Sequence, residues 1–223
     1  KTGPYSPKHL KIDFKEFEYG ISYKRIREDT DETHPLWTIG RNCLWPNALF
    51  TGDHFEWRVP IDDTNMLSVG WFFNPVLQDQ RPYVQKEIPS WEGPVSDQET
   101  GEWITSHVMN QDFAAWVGQG AIANRTKEHL GRSDRGVILM RKRFLDDLER
   151  IKDGNDPSGL IRDEHLNACV RLPIFDREHF LNGPTRAQLA DSDHPRTRSM
   201  LDFVFQAGQP SEIRQAYVEA MGL

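Results

Sequence analysis

The sequence predicts an α+β fold in which a long helix packs across a curved antiparallel sheet. Three observations predict it: period-two apolar alternation in residues 11–28 and 54–76, an amphipathic stretch over 133–152, and an order of strands first and helices later. A sheet needs one face buried and an amphipathic helix one stripe, so joining the two is the simplest solution. A cavity between them is the natural place for a small apolar ligand.

The segment KIDFKEFEYGISYKRIRE (11–28) alternates Ile12, Phe14, Phe17, Tyr19, Ile21, Tyr23 and Ile26, with a slip near Lys15 and Glu16 that predicts a bulged hairpin. DTDETHP (29–35), with His34, reads as a polar loop. LWTIGRNCLWPNALF (36–50) is apolar and interrupted by Pro46, which predicts an edge or bent strand. HFEWRVPIDDTNMLSVGWFFNPV (54–76) predicts two strands joined by the turn-forming Asp62-Asp63-Thr64-Asn65. His54 begins the first of these, where a surface or strand-end role is expected. Trp45, Trp57, Trp71, Phe72 and Phe73 are expected in the core, with Trp71 and Phe73 on the opposite face from Phe72.

Residues 77–102 carry Pro82, Pro89, Gly93 and Pro94 and predict a long irregular segment, of the kind that often serves as a lid or interface. NQDFAAWVGQG (110–120) reads as a short helical run. Ser133 is the expected N-cap of the long helix and Asp134 lies in its first turn. Val137, Met140, Phe144, Leu148 and Ile151 form one apolar stripe, and Gly154 ends the helix. Residues 155–223 read as a C-terminal extension, irregular through RLPIFDREHFLNGPTR (171–186) and closing in a helix over SEIRQAYVEAMGL (211–223).

A net charge of -7 among 223 residues, with a pI near 5.6, argues against a nucleic-acid binder. The basic run MRKRF (140–144) reads as a solvated helix face. No apolar run approaches the roughly 18–20 residues that span a bilayer, and no secretory signal is present, so no membrane partner and a cytoplasmic location are expected. Cys43 and Cys169 are too few for a disulfide framework or a cysteine-based metal site. The opening KTGPYSPKHLKIDF carries Pro4 and Pro7 and runs straight into a strand, the pattern expected of a piece cut from a longer polypeptide.

No phosphate loop, dinucleotide fingerprint, H-E-x-x-H or nucleophile elbow is present. Asp112 and the eight histidines are the candidates. Asp112 stands as a cap of the helix that follows it, a buried polar residue, or a metal ligand. Trp116, four residues on, shares its helical face and is either core or cavity lining. His107, five residues before Asp112, is rotated away on a regular helix and makes a poor co-ligand. Arg41 precedes an apolar strand, where its guanidinium either meets an anionic substrate or pairs with an acidic residue. His129 is expected to be structural, and His165, His179 and His194 exposed.

RVPIDDTNMLSVGWFF (58–73), NQDFAAWVGQG (110–120) and RTKEHLGRSDRGVILMRK (125–142) together resemble the catalytic C-terminal domain of Rieske-type non-heme iron oxygenase α subunits, in the phthalate-dioxygenase-like branch. The resemblance runs from about residue 11 to the end, and EHLGxSDxGVIxxR with the VPIDDTN hairpin is its most specific part. It implies a helix-grip (START/Bet v 1-like) fold. It also implies a mononuclear Fe(II) held by two histidines and a carboxylate, with Asp112 in the carboxylate's place as metal ligand and catalytic residue. Trp116, Arg41 and His107 become candidates for the substrate pocket.

The family's D-x2-H-x4-H motif and its Rieske C-x-H and C-x2-H motifs are absent. The expectation is therefore a partial catalytic domain over residues 1–223, its [2Fe–2S] cluster and iron histidines lying upstream, and inactive alone. The further implications are O2, NAD(P)H through a reductase, a ferredoxin or reductase partner, a homotrimer, and an aromatic substrate that is hydroxylated or O-demethylated. A competing class with the same fold is a non-catalytic carrier of an apolar small molecule.

Overall fold

The computed structural model describes residues 7–51, 54–72, 84–85, 87–105, 108–173 and 209–220. The chain divides into two compact units, Lys1–Phe73 with Arg125–Glu178, and Asn74–Asn124 with His179–Leu223.

The first unit holds a six-stranded antiparallel meander in which each strand pairs with the next: β1 (His9–Phe17), β2 (Gly20–Arg27), β3 (Arg41–Leu44), β4 (Ala48–Phe50), β5 (His54–Pro60) and β6 (Met66–Phe72). The β1–β2 hairpin is regular through Lys15 and Glu16, and its register shift falls between His9 and Lys11 instead. Glu18 and Tyr19 make the turn, after which Gly20 meets β3 closely: a Cβ there would lie 2.0 Å from the Cys43 carbonyl oxygen.

The expected single strand over 36–50 is broken. Pro35 opens a four-residue helix, α1 (Pro35–Thr38), and His34 caps it, Nδ1 accepting from the Leu36 N–H at 3.1 Å. The β5–β6 hairpin forms as predicted because Asp62 Oδ1 accepts from the backbone N–H groups of Thr64 (2.8 Å) and Asn65 (2.7 Å), which closes the turn.

The long helix, here α3 (Arg135–Lys152), follows a 3₁₀ turn over Arg132–Asp134, so its N-cap is Asp134 and not Ser133. Gly154 follows its end at φ +79°, the left-handed conformation that glycine adopts freely. α3 packs on β1 and β2. Its contact row is set by closeness and polar anchors rather than by the apolar stripe. A Cβ on Gly136 would lie 2.2 Å from the Phe14 ring, Arg143 donates to the carbonyls of Gly20 (3.2 Å) and Glu18 (3.4 Å), and Asp147 is buried. The apolar stripe is accordingly turned out at its C-terminal end, with Leu148 54% and Ile151 53% exposed, while Phe144 keeps a ring contact with Trp45 at 4.3 Å.

Strand register sorts the sheet into two faces, because directly paired residues share a side. Phe14, Tyr23 and Arg41 lie on the α3 side, as do Ile21, Cys43, Leu49 and Glu56. Ser22, Asn42, Phe50, Phe55 and Trp71 lie on the other. There Ser22 Oγ donates to Asn42 Oδ1 at 2.8 Å, and the Asn42 amide donates to the Pro173 carbonyl. Phe50, Phe55 and Trp57 stack in sequence along this face. Trp71 ends the row 48% exposed, at the sheet edge rather than in the core.

The second unit contains α2 (Val108–Val117) and the terminal helix, which spans Ser211–Ala220 of the predicted 211–223, residues 221–223 lying outside the described ones. Within it Met109 and Asn110 are buried, and Asn110 Nδ2 donates to the Pro94 carbonyl at 3.0 Å, tying α2 to the irregular segment before it. That segment carries one bridge, Ser96 to Trp103. Much of the expected 77–102 lid and of the 171–186 run lies outside the described residues, as does Phe73. Among the described residues no helix is long and apolar enough to cross a membrane.

Candidate functional site

On the α3 side of the sheet, the alternation of β5 places His54, Glu56 and Arg58 in one row. His54 and Glu56 are buried, with side chains 7% and 8% exposed. Unpaired charges at such depth are costly, and the row answers that cost internally. His54 shares hydrogen bonds with Thr51 Oγ1 through Nδ1 (2.7 Å) and with Glu56 Oε1 through Nε2 (2.9 Å). Arg58 donates to Glu56 Oε2 (2.5 Å) and to Ser68 Oγ on β6 (2.9 Å). The His54 ring stacks on Phe72 at 5.1 Å.

Burial pushes the Glu56 carboxyl up, but the hydrogen bonds from His54 and Arg58 outweigh it and hold the group below the usual carboxylate range. The row ties the β4–β5 turn, β5 and β6 together. His54 thus opens β5 at the strand end, as one of its two expected roles has it, but is buried rather than on the surface; Glu56 and Arg58 were not among the candidates read from the sequence. The available signal was polar residues at 54, 56 and 58 set against Phe55, Trp57 and Val59, in a strand flanked on both sides.

A second polar cluster fixes α3 to the β3–β4 turn. Trp45 Nε1 donates to Asp147 Oδ2 at 2.6 Å, and the Ser158 N–H and hydroxyl donate to Oδ1 at 2.9 and 2.7 Å. Burial raises the Asp147 carboxyl, yet these bonds bring it below its ordinary value. Burial raises the Cys43 thiol, an effect eased by Arg143. Cys43 and Cys169 are both free.

Asp112 lies one turn inside α2, which begins at Val108, so it does not cap the helix that follows it. It is also solvent-exposed rather than a buried polar residue. Two of its three candidate roles are thereby removed. Trp116 shares the helix, is 44% exposed and meets Phe113 edge-on at 5.5 Å. Arg41 opens β3 half-buried, opposite Tyr23. His107 lies outside the described residues, as do His179 and His194. His129 and His165 are exposed.

Among the described residues no three His, Cys, Asp or Glu side chains come together as a metal site. They offer the expected iron centre one oxygen donor where the facial arrangement needs two imidazoles besides, so by themselves they do not fit it. An open hollow of about 260 Å³ beside the β1–β2 turn is lined by Glu18, Tyr19 and residues of 159–166, and none of the predicted site residues lines it.

Residues 93–172 match the family model described as LigXa C-terminal domain like. Over 221 residues, 99% of this chain, the sequence is 56% identical to the 5,5'-dehydrodivanillate O-demethylase oxygenase subunit of Sphingobium sp. (strain NBRC 103272 / SYK-6) and covers 51% of that protein. It is 27% identical to the phenoxybenzoate dioxygenase subunit alpha of Ectopseudomonas oleovorans over 73% of this chain and 39% of that protein. It is 44% identical to the phthalate 4,5-dioxygenase oxygenase subunit of Pseudomonas putida over 60% of this chain and 28% of that protein. The chain thus spans about half the length, or less, of these relatives. With this identity along nearly all of its residues, on a six-stranded antiparallel sheet packed by a long helix, the chain is similar to the oxygenase subunits of aromatic O-demethylases and dioxygenases.

Proposed function

We propose that this chain is the catalytic-domain segment of an oxygenase that uses O2 and reductase-supplied electrons to hydroxylate or O-demethylate an aromatic compound. The observation that carries this reading is the 56% identity over 99% of the chain to an O-demethylase oxygenase subunit. The relatives' named compounds, dehydrodivanillate, phenoxybenzoate and phthalate, are aromatic acids, and an aromatic acid is the substrate class we assign.

In this reading Asp112 is the carboxylate ligand of a mononuclear Fe(II), whose two imidazole partners come from the rest of the subunit, as does the [2Fe–2S] Rieske cluster. An exposed, unclamped carboxylate within a helix is free for such a role, whereas the Glu56 and Asp147 carboxylates are consumed by their own hydrogen bonds. Iron would supply oxygen activation. Trp116 would present an aromatic face to the substrate ring, and Arg41, whose guanidinium suits a carboxylate, stays a substrate-pocket candidate. His107 is a further pocket candidate. NAD(P)H reaches the enzyme through a reductase, with or without a ferredoxin, in a homotrimeric cytoplasmic enzyme.

The test supplies the full-length oxygenase with its electron-transfer proteins, O2, and a panel of methoxylated biphenyl acids and simple benzoates. Release of formaldehyde with a phenol identifies O-demethylation, and a hydroxylated ring identifies the other branch. Tight binding of these acids with no O2-dependent product from any of them sinks the reading in favour of a carrier.

A further inference from the structure

The chain is acidic overall, at -7, yet one surface of the first unit is cationic. Two 3₁₀ turns, Arg125–Lys127 and Arg132–Asp134, lead directly into α3. Residues 125–135 carry four cations, Arg125, Lys127, Arg132 and Arg135, against two carboxylates. Both carboxylates are already engaged. Glu128 is gripped by Arg141 through contacts of 2.5 and 2.7 Å, and Asp134 Oδ2 accepts from the Gly131 N–H at 2.8 Å. The four cations are all solvent-exposed, and only long contacts restrain two of them: Arg125 to Glu128 at 4.0 Å and Arg135 to Asp13 at 3.5 Å.

Two further features mark this surface. Arg132 and Arg135 sit at the N-terminal end of α3, where the helix dipole already places positive potential, an arrangement that costs stability unless a negative partner answers it. Leu130, within this stretch, and Ile138, in the first turn of α3, are 41% and 49% exposed and add apolar surface beside the cations. Exposed apolar side chains ringed by like charges form the pattern of a transient protein interface.

We infer that this surface, centred on Lys127, Leu130, Arg132 and Arg135, docks an acidic electron-donor protein that serves the oxygenase. The inference rests on the oxygenase reading, which requires such a donor. Charge complementarity selects the occupant. An anionic partner is repelled by the bulk of a -7 chain and steered to this cationic stretch, whereas the cations of 140–144 are engaged with Glu128, Asp146 and the Gly20 carbonyl; such steering favours fast, salt-sensitive encounters. The surface binds the donor and takes no part in the chemistry.

The experiment uses the full-length oxygenase with its own donor protein. Steady-state turnover is read at varied donor concentration and ionic strength, and donor binding is measured directly at low salt. The double variant Lys127→Glu/Arg132→Glu should raise the donor KM and Kd by roughly tenfold or more and flatten their salt dependence. It should leave kcat at saturating donor, the KM for the aromatic substrate and the circular dichroism spectrum unchanged. Lys15→Glu, a charge reversal at an exposed position of β1 outside this stretch, is the control and should change none of these. Unchanged donor affinity in the double variant, or an equal loss in the Lys15→Glu control, overturns the inference. A wild-type protein that binds donor at this surface without turning over any aromatic acid counts against the oxygenase reading alone, and one that binds no donor overturns the docking surface.

Discussion

Glu56 and Asp112 are both carboxylates on regular elements, and they stand in opposite conditions. Glu56 is buried, clamped between His54 and Arg58 and kept ionised by them. Asp112 is exposed on α2. A buried ionised group with all its oxygens occupied has no valence left for chemistry, and its removal strands its partners. An exposed group inside a helix contributes little to folding. The contrast separates residues that hold the sheet from the residue proposed to serve the reaction.

The largest expected effect is on the sheet. Glu56→Ala leaves His54 and Arg58 without their shared carboxylate and should cost about 3–5 kcal/mol of stability, read as a lower midpoint in denaturant. Gly136→Val forces methyl groups into the Phe14 ring, which a Cβ alone would approach to 2.2 Å, and should cost about 1–3 kcal/mol by overpacking. Asp147→Asn, which weakens the grip on Trp45 and Ser158, should cost about 1–3 kcal/mol. If Glu56→Ala unfolds no more easily than wild type, the first half of the comparison is broken.

Acid sharpens it. Glu56 and Asp147 both have folded-state pKa values depressed below the ordinary ones, about 4.3 and 3.9. A depressed carboxylate contributes stability that is present above its unfolded pKa and lost as pH falls through the folded one. Stability set by these two groups should therefore hold from neutral pH to about pH 5 and fall below about pH 4. In Glu56→Gln the acid limb should be shallower, measured as melting temperature against pH.

Much of this division was legible in the sequence, and unevenly so. The β5–β6 hairpin was readable because Asp62 closes its turn with local hydrogen bonds that need no tertiary partner. The end of α3 was readable from Gly154 for the same reason. The packed face of α3 was not, because a glycine, an arginine and an aspartate make its contacts while Leu148 and Ile151 face outward. Period alone gives an apolar stripe and says nothing of which side a neighbour covers. The His54–Glu56–Arg58 row was hidden likewise, since alternation separates two faces without telling which is buried. Asp112 was legible as a candidate from NQDF and its resemblance, while its helical context ruled out the capping role that spacing alone had left open.

The smallest stability effect tests the central claim most directly. In the full-length oxygenase, Asp112→Ala is compared with wild type for mononuclear iron content, turnover, the Rieske spectrum and melting temperature. The account predicts loss of the mononuclear iron and of turnover, an intact Rieske spectrum, and a stability change within about 0.5 kcal/mol. Full iron occupancy and wild-type turnover in that variant would contradict it.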